Sequence, residues 1–245
     1  MLASYFGEFL GTMILVVLGV GVVANVLLSK SKGENAGWMA ITTGWAIAVI
    51  VAVFVAQSAG SPQADINPAV TLAKYMLGGI YSSNEVAWTI LAEFTGAFVG
   101  AVIVWLAYLP HWGATSSAEK KSSVFMTSPA IRHFPSNLVA EIIGTVVLIL
   151  GVGAIFGQAT RGAPVPGLGP YLVGVLVWGI GLSLGGPTGY AINPARDLGP
   201  RIAHAILPIA GKGGSDWSYA WIPVLGPLLG GLIGAVLWRL LLNGA

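Results

Sequence analysis

Long apolar runs separated by short polar stretches dominate the sequence. Six of them approach or exceed the roughly 20 residues that a membrane-spanning helix needs. They cover about residues 4–28, 37–57, 84–108, 136–157, 169–185 and 219–242. Two further apolar stretches, about 68–78 and 194–206, are too short to cross a membrane alone. The pattern predicts an all-α membrane protein with six transmembrane helices and two re-entrant half-helices.

The chain also carries an internal repeat. The sequence EFLGT at 8–12 opens the first span, and EIIGT at 141–145 opens the fourth. The triplet Asn67-Pro68-Ala69 starts one short apolar stretch, and Asn193-Pro194-Ala195 starts the other. Each half holds three spans, which is an odd number. The two copies of the repeat must therefore cross the membrane in opposite orientations. We expect one domain, with repeat 1 at about 1–108, a linker at about 109–135 and repeat 2 at about 136–245.

Composition supports a lipid-facing exterior. Of the 245 residues, 56% are hydrophobic and 8% are charged, whereas soluble domains carry about 25% charged residues. The net charge of +2 is too small to indicate a nucleic-acid partner. The chain lacks cysteine, and its three histidines show no metal-ligand spacing, so we expect no metal and no cofactor. The first apolar run is too long for a cleaved signal peptide and is interpreted as a span.

The two Asn-Pro-Ala triplets have a chemistry that suits a pore. Asparagine is a favoured helix N-cap and proline is favoured at the first helical position, so each triplet is a compact helix start. Short segments at matching places in two halves of a membrane protein indicate a site at mid-membrane. Two helix N-termini meeting there would each contribute about half a positive charge. They would repel cations and protons while the asparagine amides donate hydrogen bonds to a neutral permeant.

These motifs resemble those of the major intrinsic proteins, the aquaporin and glycerol-facilitator family. The resemblance covers essentially the whole chain and is carried by DINPAVT at 65–71 and GPTGYAINPARDLGPR at 186–201. The second motif is similar to the glycerol-facilitator form and, through IAHAILP at 202–208, to bacterial relatives that pass lactic acid. The resemblance implies an aquaporin-like fold and a passive channel of the bacterial plasma membrane. It also implies a homotetramer, and a protein that is not an enzyme.

The resemblance further implies a selectivity filter of four residues. Arg196, three residues after Asn193, would be the donor at the narrowest point. Gly181 stands where water-selective members place His, which would leave room for a carbon backbone. Tyr190 falls where glycerol facilitators carry Phe, and Trp45 would supply the second aromatic wall.

Acidic residues near the motifs are expected to be structural. In the family, the glutamates corresponding to Glu8 and Glu141 brace the re-entrant loops through backbone amides. Asp197 would orient Arg196 or cap the half-helix start locally. Asp65 stands where the family usually has His, and it would add negative charge near the inner mouth, be neutralised, or cap the loop. Glu93, in the third span, has no assigned role.

The filter favours glycerol and similar polyols, with water as a further permeant. A channel mainly for neutral lactic acid or dihydroxyacetone remains an alternative, and urea is a further candidate permeant. Two hypotheses of other classes are a coupled secondary transporter and an adhesive or structural membrane protein with a closed pore.

The family topology places both termini inside, whereas basic residues in the first loop and the linker favour the opposite orientation under the positive-inside rule.

Overall fold

The computed structural model describes residues 1–157, 165 and 167–242. The last three residues of the expected second repeat, 243–245, lie outside the described residues. Within the described part, the chain is helical and contains no β-strand. The helices are α1 Leu2–Leu27, α2 Trp38–Ser58, α3 Pro68–Leu77, α4 Ser83–Ala107, α5 Leu109–Ala114, α6 Ala118–Phe125, α7 Phe134–Phe156, α8 Leu168–Leu184, α9 Pro194–Ile206 and α10 Ile222–Leu237, and α10 continues as a π-helical turn, Trp238–Leu242.

The helices match the predicted spans closely. By length and composition, α1, α2, α4, α7 and the stretch Ile222–Leu241 could each cross a membrane. The remaining predicted span, the fifth along the chain, is α8, an apolar helix of 17 residues, which corresponds to about 26 Å. The two stretches after the Asn-Pro-Ala triplets form the short helices α3 and α9, as predicted.

Glycines allow the long helices to pack closely in pairs. In α1 and α4, a Cβ atom built on Gly96 would lie 2.2 Å from the carbonyl oxygen of Phe9. In α7 and α10, a Cβ atom on Gly230 would lie 2.6 Å from the carbonyl oxygen of Ile142. Helix backbones can approach to such distances only where no side chain intervenes, which is the role expected of small residues in membrane bundles.

Each half-helix packs against a long helix from the other half of the chain. Helix α3 lies against α10, and α9 lies against α4. Gly231 and Gly199 make these contacts possible, since a Cβ atom on them would lie 2.7 Å from the Ala69 carbonyl oxygen and the Ala97 Cβ atom respectively. The crossed packing brings the N-termini of α3 and α9 together in the interior.

Candidate functional site

The two asparagines begin the half-helices in the same way. Asn67 caps α3 by accepting a hydrogen bond from the backbone N–H of Ala69 at 2.9 Å. Asn193 caps α9 by accepting from the backbone N–H groups of Ala195 and Arg196 at 3.0 and 3.2 Å. A proline follows each asparagine at the first helical position. The local sequence therefore sets both helix starts, as expected for these residue types.

The same side chains also cross-link the two loops. The Asn67 amide nitrogen donates to the carbonyl oxygen of Ile192 at 2.9 Å, and the Asn193 amide nitrogen donates to the carbonyl oxygen of Ile66 at 2.8 Å. A side-chain amide carries two N–H donors. Both asparagines line the central cavity, so each keeps a second donor for a molecule inside it.

An unusual backbone precedes both asparagines. Ala64 and Ile66 have φ angles of 44° and 47°, and Tyr190 and Ile192 have φ angles of 40° and 43°. In each half, one of these residues lies three positions before the asparagine and the other lies directly before it. The same strained conformation therefore occurs in both halves. Left-handed backbone at a residue other than glycine costs of order 1–3 kcal/mol and persists only where its surroundings enforce it.

Two buried glutamates hold this backbone in place. Glu8 accepts from the backbone N–H groups of Asp65 and Ile66 at 2.9 and 2.7 Å. Glu141 accepts from those of Ala191 and Ile192, both at 2.9 Å. Each carboxylate thus takes two successive N–H groups at the same positions relative to its asparagine, as the family role of Glu8 and Glu141 implies.

Glu93 is a support that sequence reasoning missed. One of its carboxylate oxygens accepts from the backbone N–H of Asn67 and from the Thr71 hydroxyl, both at 2.9 Å. It therefore fixes the start of α3 from α4. Its lack of a counterpart in the second half hid this role, although an acid within an apolar span is itself a signal of function.

A cavity of about 670 Å³ runs alongside both loops. One wall follows α2, where Trp45, Val49, Val53 and Gln57 recur every four residues and extend along about 18 Å. The facing wall contains residues 64–67 and 190–193. Within the described chain, the carbonyl groups of Ala64, Asp65, Tyr190 and Ala191 accept no hydrogen bond and are free to serve a permeant. The path therefore has an apolar side and a hydrogen-bonding side.

Arg196 and Trp45 meet at the end of the cavity where the α2 wall begins. The guanidinium carbon of Arg196 lies 4.2 Å from the centre of the Trp45 ring. Both side chains are buried, with 7% and 3% of their residue surface exposed, and Tyr190 lies beside them with 4% exposed. Three of the four residues predicted for the filter thus line the same cavity.

The fourth, Gly181, packs against Tyr190 and does not line the cavity. A Cβ atom on Gly181 would lie 2.8 Å from Cζ of the Tyr190 ring. The space left by the glycine is therefore filled by Tyr190. The Trp38 indole N–H donates to the Gly181 carbonyl oxygen at 3.1 Å, a contact that the sequence did not indicate.

Asp197 does not bond to the Arg196 side chain. Its carboxylate accepts from Arg201 Nε at 2.7 Å and from the backbone N–H and hydroxyl of Thr127 at 2.7 and 2.6 Å. Arg201 also donates to the carbonyl oxygens of Ser215 and Asp216 at 2.9 and 3.0 Å. These contacts tie α9 to the linker and to the loop that follows α9. Asp197 therefore helps to position the half-helix.

That loop is further fixed by an ion pair at its surface. Arg132 donates two hydrogen bonds to the Asp216 carboxylate, at 3.1 and 2.5 Å. Partial burial acts to raise the pKa of Asp216, but hydrogen bonds from Arg132 and Ser218 outweigh it, so the pKa lies below its ordinary value.

Asp65 is neutralised by its neighbours in the part of the cavity that is lined by Gln63, Asp65 and Lys74. Its carboxylate forms an ion pair with Lys74 and accepts from the hydroxyls of Thr71 and Tyr81 at 2.9 and 2.6 Å. Lys74 also donates to the carbonyl oxygen of Gln63 at 3.2 Å. Of the alternatives raised by the sequence, the geometry corresponds to neutralisation, with the side chain bracing the loop.

Comparisons with known proteins agree with this geometry. The profile of the family described as "Major intrinsic protein" matches residues 1–238. The chain belongs to the major intrinsic protein family. Members of this family are channels rather than enzymes, and this member is a multi-pass protein of the bacterial cell membrane.

Named relatives and a solved structure support the same assignment. The chain is 54% identical to the probable glycerol uptake facilitator protein of Thermotoga maritima, covering 97% of this chain and 99% of the relative. It is 52% identical to glycerol uptake facilitator protein 3 of Lactiplantibacillus plantarum, covering 96% and 95%. The X-ray structure of the aquaglyceroporin from Plasmodium falciparum matches with a TM-score of 0.85 at 25% identity, covering 99% and 97%.

Proposed function

We propose that this major intrinsic protein is a passive channel for glycerol and other small neutral solutes, and also for water. The observation that carries the proposal is the two-sided cavity whose lining includes Trp45, Tyr190 and Arg196. Alkyl carbons of a polyol would lie against the α2 wall. Its hydroxyls would bond to the free loop carbonyls and to the amides of Asn67 and Asn193. The names of the relatives point to the same permeant.

The half-helices account for the rejection of ions. Helices α3 and α9 have 10 and 13 residues, and their N-terminal residues are cross-linked through the asparagines. Each N-terminus carries about half a positive charge, and the two charges add at one place in the cavity. A cation or proton reaching this place would be repelled, whereas a neutral solute would not.

We infer three further properties from the same fold. The chain is one channel domain, with repeat 1 at about 1–108, a linker at about 109–135 and repeat 2 at about 136–245. It catalyses no reaction and works as a homotetramer with one path per subunit. Native mass spectrometry in detergent tests the last statement, and a monomer that conducts glycerol at the full rate would contradict it.

Stopped-flow light scattering on proteoliposomes tests the proposed permeant. Vesicles shrunk in glycerol should re-swell faster with the protein than without it, at a rate linear in the glycerol gradient. Gly181→Leu should abolish most of the glycerol flux, because the new side chain would displace the Tyr190 ring. Gly179→Leu is the matched control, since a Cβ atom there meets no heavy atom within 4 Å.

The same experiment separates the competing classes of protein. A coupled secondary transporter would show saturable uptake driven by an ion gradient. A closed pore would show no flux of either glycerol or water. Equal losses in Gly181→Leu and Gly179→Leu would show that the constriction has been assigned to the wrong place.

A further inference from the structure

Three carboxyl groups lie behind the first Asn-Pro-Ala triplet. Glu8 on α1, Asp65 in the loop and Glu93 on α4 are all buried. The second half of the chain carries only the counterpart of Glu8, since Ala191 and Pro227 stand at the positions that correspond to Asp65 and Glu93. Like charges in a buried site repel, so the stability of this cluster depends on how many protons it holds.

Glu8 and Asp65 have the partners that a buried carboxylate requires. Besides its two backbone N–H groups, Glu8 accepts from the Ser61 hydroxyl at 2.6 Å. Asp65 forms its ion pair with Lys74 and accepts from the Tyr81 hydroxyl at 2.6 Å. Both groups can therefore keep their negative charge.

Glu93 lacks such partners. One of its oxygens accepts from the backbone N–H of Asn67 and lies 2.9 Å from the Thr71 hydroxyl, and the other has no hydrogen-bond partner among the described residues. The Thr71 hydroxyl also lies 2.9 Å from an Asp65 oxygen. A hydroxyl has one proton, so it can donate fully to only one of these two groups. The two carboxyl oxygens are at most twice that distance apart, where charging both is costly.

The surrounding helices do not supply a countercharge. The charges that act most strongly on Glu93 are those of Glu8 and Asp65, which have the same sign as its own ionised form. Helix α9 also packs against α4, but its ionisable side chains are engaged elsewhere: Arg196 with Trp45, Asp197 with Arg201, and His204 with Ser215. The cation Lys74 is paired with Asp65.

We propose that Glu93 is a protonated, neutral carboxylic acid in the folded channel. Its proton is donated to the Thr71 hydroxyl oxygen, and the Thr71 proton is donated to Asp65, so that each 2.9 Å contact contains one proton. Glu93 accepts from the backbone of Asn67, at the start of α3, where a negative charge would offset the positive end of the helix. A neutral Glu93 positions Asn67 and preserves the barrier to ions, a consequence that rests on the proposed function.

Infrared difference spectra of the purified protein at neutral pH, in a detergent without ester groups, test this protonation state. Subtracting the Glu93→Gln spectrum from the wild-type spectrum should reveal the C=O stretch of a carboxylic acid. Asp65→Asn is the matched control from the same cluster, and it should remove a carboxylate band instead. Thr71→Val deletes the hydroxyl to which Glu93 donates and should shift the frequency of the acid band, so the test remains available if Glu93→Gln does not fold.

The pH dependence of stability gives an independent readout. The unfolded chain releases this proton at neutral pH, because the ordinary pKa of glutamic acid is about 4.3. Folding then takes up one proton, so stability relative to Glu93→Gln should fall as the pH rises from mildly acidic to mildly alkaline, by roughly tenfold in the folding constant per pH unit. Melting temperatures in detergent follow this trend.

Two results would overturn the inference. One is a Glu93→Gln difference spectrum that shows only a lost carboxylate band. The other is a difference in melting temperature between wild type and Glu93→Gln that is the same at every pH, as a purely structural role would give. Neither measurement depends on flux, so the glycerol channel would stand. Vesicles that pass no glycerol would instead overturn the proposed function and leave the protonation of Glu93 intact.

Discussion

The guanidinium of Arg196 lies over the indole ring of Trp45, with 4.2 Å between the guanidinium carbon and the ring centre. A charged group on an aromatic face is stabilised most where water is excluded. The position of the Trp45 ring beside Arg196 therefore shapes this end of the cavity.

Gly19 sets the position of Trp45 from behind. A Cβ atom at this residue would lie 2.2–2.5 Å from three ring carbons of Trp45. We expect Gly19→Ala to push the ring further toward Arg196 and to reduce glycerol flux several-fold more than water flux in proteoliposomes. Gly21→Ala on the same helix is the control, because a Cβ atom there meets nothing within 4 Å. Unchanged selectivity in Gly19→Ala would mean that Trp45 does not limit the path.

Glu141 should be essential to the second loop. In the wild type, the two carboxylate oxygens of Glu141 accept from two backbone N–H groups. A glutamine keeps only one acceptor oxygen and would turn its N–H₂ group toward the other backbone N–H, which would lose its partner. We expect Glu141→Gln to lower the free energy of unfolding by about 1–3 kcal/mol, the cost of an unsatisfied buried polar group. Melting temperatures in detergent measure the effect. Glu85→Gln at the exposed start of α4 is the comparison, and an equal fall in both variants would argue against the bracing role.

The ion pair between Asp65 and Lys74 should raise the free energy of unfolding. Lys74→Met leaves the buried Asp65 carboxylate without its cation, although Thr71 and Tyr81 still donate to it. We expect a loss of roughly 2 kcal/mol, less than the 3–5 kcal/mol typical of a fully buried pair, because the Lys74 side chain is 20% exposed. The double variant Asp65→Asn/Lys74→Met should recover part of the loss. Strictly additive single and double effects on the melting temperature would show that the pair does not interact.

Close packing of α1 and α4 should depend on Gly96. A methyl group there would lie 2.2 Å from the backbone carbonyl oxygen of Phe9, which cannot rotate away as a side chain could. We expect Gly96→Ala to reduce the free energy of unfolding by roughly 1–3 kcal/mol through overpacking. Gly179→Ala, where a Cβ atom has open space, should leave the melting temperature unchanged or slightly raised. A stable Gly96→Ala protein would require the two helices to separate without cost.

Hydropathy and local motifs determined the helices and the ends of the half-helices. Apolar runs of sufficient length must be helical in lipid, because every backbone group then finds its partner within the segment. The caps at Asn67 and Asn193 are equally local, since each asparagine bonds to backbone within three residues. The family resemblance predicted that Trp45, Tyr190 and Arg196 share one site, and all three line the same cavity.

Contacts between distant parts of the chain were decided only by the tertiary structure. Glu93 meets Asn67, Trp38 meets Gly181, and Asp197 meets Thr127, at separations of 26, 143 and 70 residues. No periodicity encodes such partners, because they depend on how helices cross and on which glycines let them approach. The sequence by itself determined the spans, the repeat and the two helix starts. Packing decided that Gly181 is covered by Tyr190, that Arg196 lies against Trp45, and which acceptors remain free for a permeant.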